Sequence, residues 1–180
     1  ISLPGKPDTS FAGLVSSTAR TDRLINLSSR ARIGSGASVL ITGFVIGGTA
    51  PKQILVRGVG PALAGFGVQA TLANPRLRLY RGSEIVAEND DWSTSDAAAL
   101  AEAFGRVGAF ALTAGSRDAA LLLTLAPGAY TAHVFDSGAT GVALAEIYDA
   151  SLNPNSEYQR LLNISARGEV SAVEGVLIGG

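Results

Sequence analysis

Cysteine and methionine are both absent from this chain of 180 residues, and histidine and tryptophan occur once each. Without cysteine there is no disulfide, no thiol nucleophile and no thiolate metal site. A single histidine excludes a site that needs several histidine ligands. The absence of methionine, even at the first position, predicts a processed chain or a segment of a longer one.

Charge of one sign is also lacking, because 14 Lys and Arg oppose 15 Asp and Glu, for a formal net charge of −1. The basic residues are scattered, with no stripe suited to nucleic acid and no polybasic segment suited to a membrane surface. The uncharged stretch 33–51 holds five glycines and lacks the continuous apolar run of about 18 residues that a membrane helix needs. We therefore expect neither nucleic-acid binding nor membrane insertion.

What the chain does contain is a series of short runs with β-type alternation, punctuated by Gly, Pro, Asn and Asp. In the run 76–80, Leu77 and Leu79 point to one face and the residues between them to the other. Many short strands of this kind indicate an all-β fold, and we expect an antiparallel, jelly-roll-like β-sandwich. The predicted strands are Leu24–Ser28, Ser38–Ile46, Gln53–Gly58, Arg76–Tyr80, Glu84–Glu88, Ala119–Leu125, Gly128–Phe135 and Gly141–Tyr148.

Two stretches predict short helices within loops. Ser95 or Asp96 is the expected N-cap of one helix, which would end at Gly105. The run GPALAGFG, around Pro61, is a weaker second candidate. Residues 1–20 are rich in Ser, Thr, Gly and Pro and predict an extended arm or linker. The sandwich is then expected to span residues 21–150, followed by a linker over 151–159.

The middle of the chain resembles a known architecture. PRLRLYRGSEIVAENDDW and then LTLAPGAYTAHVFDSGATGVALAEIYD are similar to the bacterial pre-peptidase C-terminal type of β-sandwich, over roughly residues 23–150. The resemblance implies a non-catalytic appendage of secreted enzymes and surface proteins, and so an extracellular or cell-surface location. The matching residues are Leu77, Leu79, Tyr80, Ile85, Ala87, Asn89, Asp90, Asp91, Leu125, Pro127, Gly128, Tyr130, Thr131, Val134, Gly141, Glu146, Tyr148 and Asp149.

A turn after the fifth predicted strand carries the densest polar cluster. Asn89, Asp90 and Asp91 place three oxygen-bearing side chains side by side, with Asp96 soon after. Such oxygens are hard ligands suited to Ca²⁺, which is the one cofactor that the sequence suggests. Alternatively, the same side chains satisfy the turn through their own hydrogen bonds, with Trp92 filling the end of the core. The sequence leaves both interpretations open.

The candidate catalytic and cofactor-binding motifs in the sequence are incomplete. The glycine-rich run 58–67 lacks the third small residue of a dinucleotide fingerprint, because Leu63 stands there. The single histidine, His133, has no G-x-S-x-G elbow to act with, so we interpret it as structural. Arg57 is interpreted as an arginine that ties loops together. We expect no enzymatic activity.

Two segments of the chain are similar to each other. RLINLSSRARIGSGASVLITG (residues 23–43) and RLLNISARGEVSAVEGVLIGG (residues 160–180) match at 9 of 21 positions without a gap, at an offset of 137 residues from Arg23 to Arg160. Both copies contain N-x-S, at Asn26 and Asn163. We assign these asparagines to the repeated strand pattern, with glycosylation as the alternative.

The second copy predicts a partial second repeat. Its strands are expected to pair with a sandwich other than their own, either the next unit of an array or a separate copy. A cut array and a simple tail are the alternatives. The residues assigned to self-assembly are Leu161, Ile164, Val176, Leu177 and Ile178.

The sequence therefore predicts a non-catalytic extracellular structural module. It would assemble through tandem or donated-strand contacts, as a filament or surface-array subunit, with other copies of itself or adjacent repeats as partners. The alternative is an accessory module of a secreted hydrolase that binds polysaccharide or protein.

Overall fold

The structure, a computed structural model, describes residues 24–34, 38–152, 158–168 and 178–179. In these residues the chain forms two antiparallel five-stranded sheets, so the expected all-β sandwich is confirmed. The strands are β1 (Asn26–Ile33), β2 (Leu40–Gly48), β3 (Lys52–Val59), β4 (Arg76–Arg81), β5 (Glu84–Asn89), β6 (Ala119–Leu125), β7 (Gly128–Phe135), β8 (Gly141–Asp149), β9 (Gln159–Arg167) and β10 (Ile178–Gly179). The helices are α1 (Ala97–Val107) and two 3-10 helices, Pro61–Phe66 and Trp92–Thr94.

The first sheet has the order β10-β1-β8-β3-β6, and the second has the order β5-β4-β7-β2-β9. The first two strands, β1 and β2, therefore lie in different sheets. β1 and β2 each pair with one strand from the middle of the chain and with one strand from the last described segments. β1 lies between β8 and β10, and β2 lies between β7 and β9.

Alternation along the strands places the core between the sheets. Leu77 and Leu79 on β4 are fully buried, as are Ala132 and Val134 on β7. Residues of both sheets join in one hydrophobic cluster, which is the main stabilising contact of the fold because each fully buried aliphatic side chain contributes about 1.5–3 kcal/mol.

A second cluster covers the outer face of the first sheet. It joins Leu100 and Phe104 of α1 to Leu55 on β3 and to Trp92. The strand β3 is consequently buried on both faces, which explains why its sequence KQILVRGV does not alternate.

The boundaries of α1 and β1 differ from the sequence prediction, and those of β2, β3, β4, β5 and β8 differ by one or two residues. α1 starts after Asp96, whose carboxylate accepts the N–H of Ala99, but it continues past Gly105 and ends at Gly108, where φ is 74°. A Cβ on Gly105 would meet no atom within 4 Å, so a glycine is not required there. Gly108 takes the left-handed conformation, which favours glycine. β1 reaches Ile33 because Arg30–Ile33 continue the ladder with β8.

Candidate assembly site

Strand β9 lies along the edge of β2 that faces away from β7. Their antiparallel register runs from Ile41 opposite Arg167 to Gly48 opposite Gln159, with one irregularity between Val45 and Ile46. The pairing satisfies main-chain groups that β2 would otherwise expose as a free edge.

The start of β9 is held by a turn after β2. The carbonyl oxygen of Tyr158 accepts the N–H groups of Thr49 and Ala50, at 2.8 and 3.0 Å. These two bonds fix where β9 meets the sheet, so they set its register.

Three glycines of β2 make room for the incoming segment. A Cβ on Gly43 would lie 2.8 Å from the Ser165 hydroxyl, and a Cβ on Gly47 would collide with Leu162. A Cβ on Gly48 would collide with the Tyr158 carbonyl, and Gly48 also has a φ of 104°. The glycines of this strand are therefore part of the surface that receives β9.

One side chain of β9 enters the main core. Leu161 is 5% exposed and belongs to the cluster between the sheets, whereas its neighbour Leu162 is 60% exposed. Burial of Leu161 adds a hydrophobic contact to the main-chain pairing of β9 with β2.

The last described strand completes the other sheet. β10 pairs with β1 through two positions, Arg30 opposite Ile178 and Ser29 opposite Gly179. The two strands of the second copy thus cover the open edges of both strands of the first copy.

The structure places the described part of the second copy in its own sandwich, so pairing with another unit stays a prediction. The segment 160–180 was expected to pair with a sandwich other than its own, but β9 and β10 pair with β2 and β1 of the same chain. The physical reason is that both edges are open in this chain and the second copy matches them. Of the residues assigned to assembly, Leu161 is placed in the core, Ile164 and Ile178 lie on the two strands, and Val176 and Leu177 fall outside the described residues.

The three polar side chains of the Asn89 turn differ in their contacts, because Asn89 is fully hydrogen-bonded whereas Asp90 Oδ1 and Asp91 Oδ1 have no hydrogen-bond partner among the described residues. The Asn89 amide oxygen accepts the N–H of Ala120 at 2.9 Å, and its nitrogen donates to the Asp91 carbonyl and the Ser95 hydroxyl, both at 3.1 Å. The carboxylate of Asp90 forms a half-exposed ion pair with Arg76 at 3.3 Å. In the described part of the chain no three His, Cys, Asp and Glu side chains gather as a metal site. These contacts favour the turn-satisfying role of Asn89.

A buried charge cluster lies under α1. The Arg57 side chain is fully buried, with its Nε 3.2 Å from Glu146 and its Nη1 donating to the Phe110 carbonyl at 2.9 Å. The guanidinium also lies over the rings of Phe104 and Phe110. Burial lowers the pKa of Arg57, while the opposing charge of Glu146 raises it. Arg57 therefore ties β3 to the loop after α1, as the sequence analysis interpreted it.

Tyr148 and Asp118 extend this cluster in two directions. The Tyr148 hydroxyl donates to Glu146 at 2.8 Å, and burial together with the Glu146 charge raises the pKa of Tyr148. The Asp118 carboxylate accepts the N–H groups of Gly60 and Ala62, which fixes the glycine-rich turn. Sequence reasoning missed Asp118 and Glu146. Arg57 within an apolar strand was the signal that an acidic partner is needed.

A second buried ion pair joins the ends of β3 and β8. Lys52 Nζ lies 2.8 Å from the Asp149 carboxylate, with side-chain exposures of 0% and 2%. Lys52 also lies 3.3 Å from the Ser151 hydroxyl. This pair holds the chain at the point where it leaves the sandwich toward β9.

His133 lies on β7, half-buried and 4.5 Å from the ring of Tyr80. Burial lowers its pKa, and Arg167 of β9 lowers it further. The arginine that acts on His133 belongs to the second copy of the repeat.

Comparison with family models, with curated proteins and with solved structures gives no match to this chain. None of the helices in the described ranges is long and apolar enough to cross a membrane. The fold class is that of an all-β sandwich whose outer edges are completed by a repeated segment.

Proposed function

We propose that this chain is a non-catalytic extracellular structural module that assembles with other copies of itself by strand donation. The donated element is the segment that begins at Tyr158 and contains β9 and β10. The acceptor is the pair of edges on β2 and β1 that β9 and β10 cover within the single chain. The resemblance to secreted bacterial sandwiches supports the extracellular part of the proposal.

The observation that carries the proposal is that β9 is held by contacts that a second copy offers equally. Its main chain pairs with β2, Leu161 enters the core, and the glycines at 43, 47 and 48 receive it. Each of these features belongs to the acceptor sandwich and is reproduced in every copy. Exchange of an identical element between copies needs no new interface, so it is an inexpensive route to assembly.

The geometry of donation determines what is built. A copy that gives its last segment to one neighbour leaves its own edges open to the segment of another. Such a head-to-tail contact uses different surfaces on the two partners and continues indefinitely unless it closes into a ring. We therefore expect filaments or arrays.

The test uses the full chain, which has no cysteine of its own. Ile41 and Arg167 are opposite each other on β2 and β9, so the pair Ile41→Cys and Arg167→Cys forms a disulfide across this contact. Chains labelled with heavy and light isotopes are mixed, assembled and oxidised, and the disulfide-linked peptides are sorted by mass spectrometry. Heavy–light linkages, together with filaments in negative-stain micrographs, are the expected result.

The matched control is Ile41→Cys with Ser165→Cys, which lies two residues out of register, or about 7 Å along the strand. This pair is expected to give few linkages of either kind. Linkages confined to single chains at every concentration would show that β9 stays in its own sandwich, and donation would then be wrong.

A further inference from the structure

The two copies of the repeated segment pair with each other through a local two-fold relationship. Arg30 lies opposite Ile178, and Ile41 lies opposite Arg167. At the offset of 137 residues, Arg167 is the counterpart of Arg30, and Ile178 is the counterpart of Ile41. The repeat position occupied by Arg30 and Arg167 therefore lies opposite the repeat position occupied by Ile41 and Ile178, once in each sheet.

A second pair of positions follows the same rule. Ser29 lies opposite Gly179, and Thr42 lies opposite Ala166. Gly179 is the counterpart of Thr42, and Ala166 is the counterpart of Ser29. A contact in which residue i meets j while j meets i is the mark of an isologous interface, which two identical surfaces form about a two-fold axis.

Two buried hydroxyls are left without partners by this arrangement. Ser29 and Thr42 are both fully buried, and neither Ser29 Oγ nor Thr42 Oγ1 has a hydrogen-bond partner among the described residues. Their opposite residues are Gly179 and Ala166, which offer no polar side chain. The edge strands present are therefore imperfect complements of β1 and β2.

The first copy of the segment is the better complement. If β1 of a second molecule lay on β2, its Ser29 would stand opposite Thr42, and the reciprocal pair would form on the other side of the axis. Cross-strand Ser–Thr pairs hydrogen bond to each other, so both buried hydroxyls in both molecules would gain a partner.

The glycine contacts of β2 are also available to a second molecule. Ser165, which lies over Gly43, has Ser28 as its counterpart, and Leu162, which lies over Gly47, has Ile25. Ile25 is 55% exposed in this chain, so its side chain is free to move onto a partner's glycine. The acceptor surface thus fits residues 24–30 as it fits residues 161–167.

We infer that the open edges of β1 and β2 are also an isologous interface for the same two strands of a second copy, and that β9 and β10 cover this interface within one chain. The inference deepens the proposed function and rests on its assignment of these edges to assembly. In the paired form β1 of each molecule lies on β2 of the other. The last segments of both molecules are displaced.

The paired form differs from strand donation in its outcome. Because an isologous contact uses the same patch on both molecules, it closes after two copies. Each sheet of one molecule then continues into a sheet of the other, while β7 and β8 keep their places. Displacing residues 158–179 switches the chain toward closed pairs, whereas donating them extends a filament.

The experiment uses the full chain with Arg30→Cys and Ile41→Cys. These residues lie in different sheets of one chain, on β1 and β2, but are opposite each other in the inferred pair. Oxidation over a concentration series is expected to give covalent dimers, separated by non-reducing electrophoresis. The control is Ser28→Cys with Ile41→Cys, which is about 7 Å out of register and beyond the reach of a disulfide.

Two further substitutions sharpen the result. Leu161→Asp weakens β9 without touching β1 or β2, so it should raise the yield of dimers linked through positions 30 and 41 several-fold. Thr42→Val removes an unpartnered hydroxyl, so it should lower the dimer yield several-fold and leave the thermal stability of the monomer equal or higher. A structural role of Thr42 in the single sandwich would give the opposite change in stability.

The outcomes separate this inference from the proposed function. Absence of a 30–41 dimer at every concentration overturns the isologous pair, even where heavy–light linkages between 41 and 167 show donation. A covalent dimer linked between positions 30 and 41, without heavy–light linkages between positions 41 and 167, overturns strand donation and supports the isologous pair. Should circular dichroism show that Leu161→Asp is unfolded, the concentration series with Leu161 intact decides.

Discussion

Leu24 and Leu161 contact the same hydrophobic core from opposite sheets. Leu161 is a member of the cluster between the sheets, and Leu24 packs against it just before β1. The two leucines occupy the same position of the repeated segment, 137 residues apart. The repeat is therefore used twice in one sandwich: each copy gives one strand to each sheet, and one leucine of each copy packs in the same core.

The first prediction concerns Gly48, which combines a left-handed backbone with close approach of the Tyr158 carbonyl. Gly48→Ala should destabilise the fold by about 1–3 kcal/mol, because the added Cβ is strained by φ and meets a main-chain atom. It should also raise hydrogen exchange throughout β9, measured by mass spectrometry.

Gly67→Ala is the matched control for this change. Gly67 also has a positive φ, 79°, but a Cβ there has nothing within 4 Å. We expect a loss of stability without faster exchange in β9. Equal protection of β9 in the Gly48→Ala chain would show that the Tyr158 contact does not hold the strand.

The second prediction concerns the buried pair Lys52 and Asp149. Lys52→Met should cost about 3–5 kcal/mol in the free energy of unfolding, because it removes the Lys52 cation from the side of a buried carboxylate. The double variant Lys52→Met with Asp149→Leu should recover most of that loss, since a buried pair is often replaceable by apolar residues of similar size. Urea denaturation measures both.

The exposed pair of Glu102 and Arg106 on α1 serves as the control. Glu102→Gln removes a partner that is 77% exposed and should change stability by no more than about 0.5 kcal/mol. The result that would contradict the prediction is a double variant Lys52→Met with Asp149→Leu that is as unstable as Lys52→Met alone. In that case the two charged side chains themselves are needed to pack this end of the sandwich.

The third prediction is a pH dependence from Tyr148. Its pKa is raised in the folded state, chiefly by burial and then by Glu146, so folding favours the neutral phenol. The stabilisation is fully present below the ordinary tyrosine pKa of 10.0 and is lost as the pH rises above it. The unfolding free energy should therefore fall above about pH 10.

Tyr148→Phe should flatten this alkaline loss, because it removes the phenol that must be deprotonated. Tyr158→Phe, at a tyrosine that is 67% exposed, should keep the slope of the parent chain. Urea titrations between pH 8 and pH 11, a range about the ordinary value, test both variants. An unchanged slope in Tyr148→Phe would contradict the assignment.

The fourth prediction separates the two interpretations of the Asn89 turn. Asn89→Ala should cost about 1–3 kcal/mol, because the buried N–H of Ala120 loses its acceptor. Asp90→Ala should cost about 0–1 kcal/mol, because its ion pair with Arg76 is partly exposed. We expect the melting temperature to be the same in Ca²⁺ and in EDTA. A fall in EDTA that Asp90→Ala or Asp91→Ala abolishes would establish a calcium site.

Much of the fold could be predicted because its strands alternate. β7 begins and ends where the alternation predicts, since one of its faces lies on the core. β6 also has the predicted bounds, although it is an apolar run with residues in both hydrophobic clusters. Gly105 misled the helix prediction, because composition does not say which of two glycines takes the left-handed position. Contacts between residues far apart in the sequence were harder to predict. Nothing in the sequence around Arg57 indicates Glu146, almost ninety residues later, as its partner.

The site was predicted only in part. The repeat identified the segment that covers the edges, and Leu161, which was assigned to self-assembly, is buried in the core of its own chain. In the single chain this segment completes its own sandwich. Its pairing with another copy stays a prediction, because every copy offers the same edges and a sequence does not say which copy the segment reaches first. The reciprocal register of Arg30 and Ile41 required the paired strands themselves.

The three glycines of β2 also have a consequence for how the chain folds. Glycine weakens a strand through its conformational freedom, and a strand with three of them gains little order before a neighbour covers it. That neighbour, β9, is synthesised only after β3 to β8, so the β2 edge closes late and by pairing between segments far apart in the sequence. During synthesis the nascent sandwich consequently exposes the unpaired edge of β2 until β9 has been made, and such an edge is where a neighbouring chain can pair.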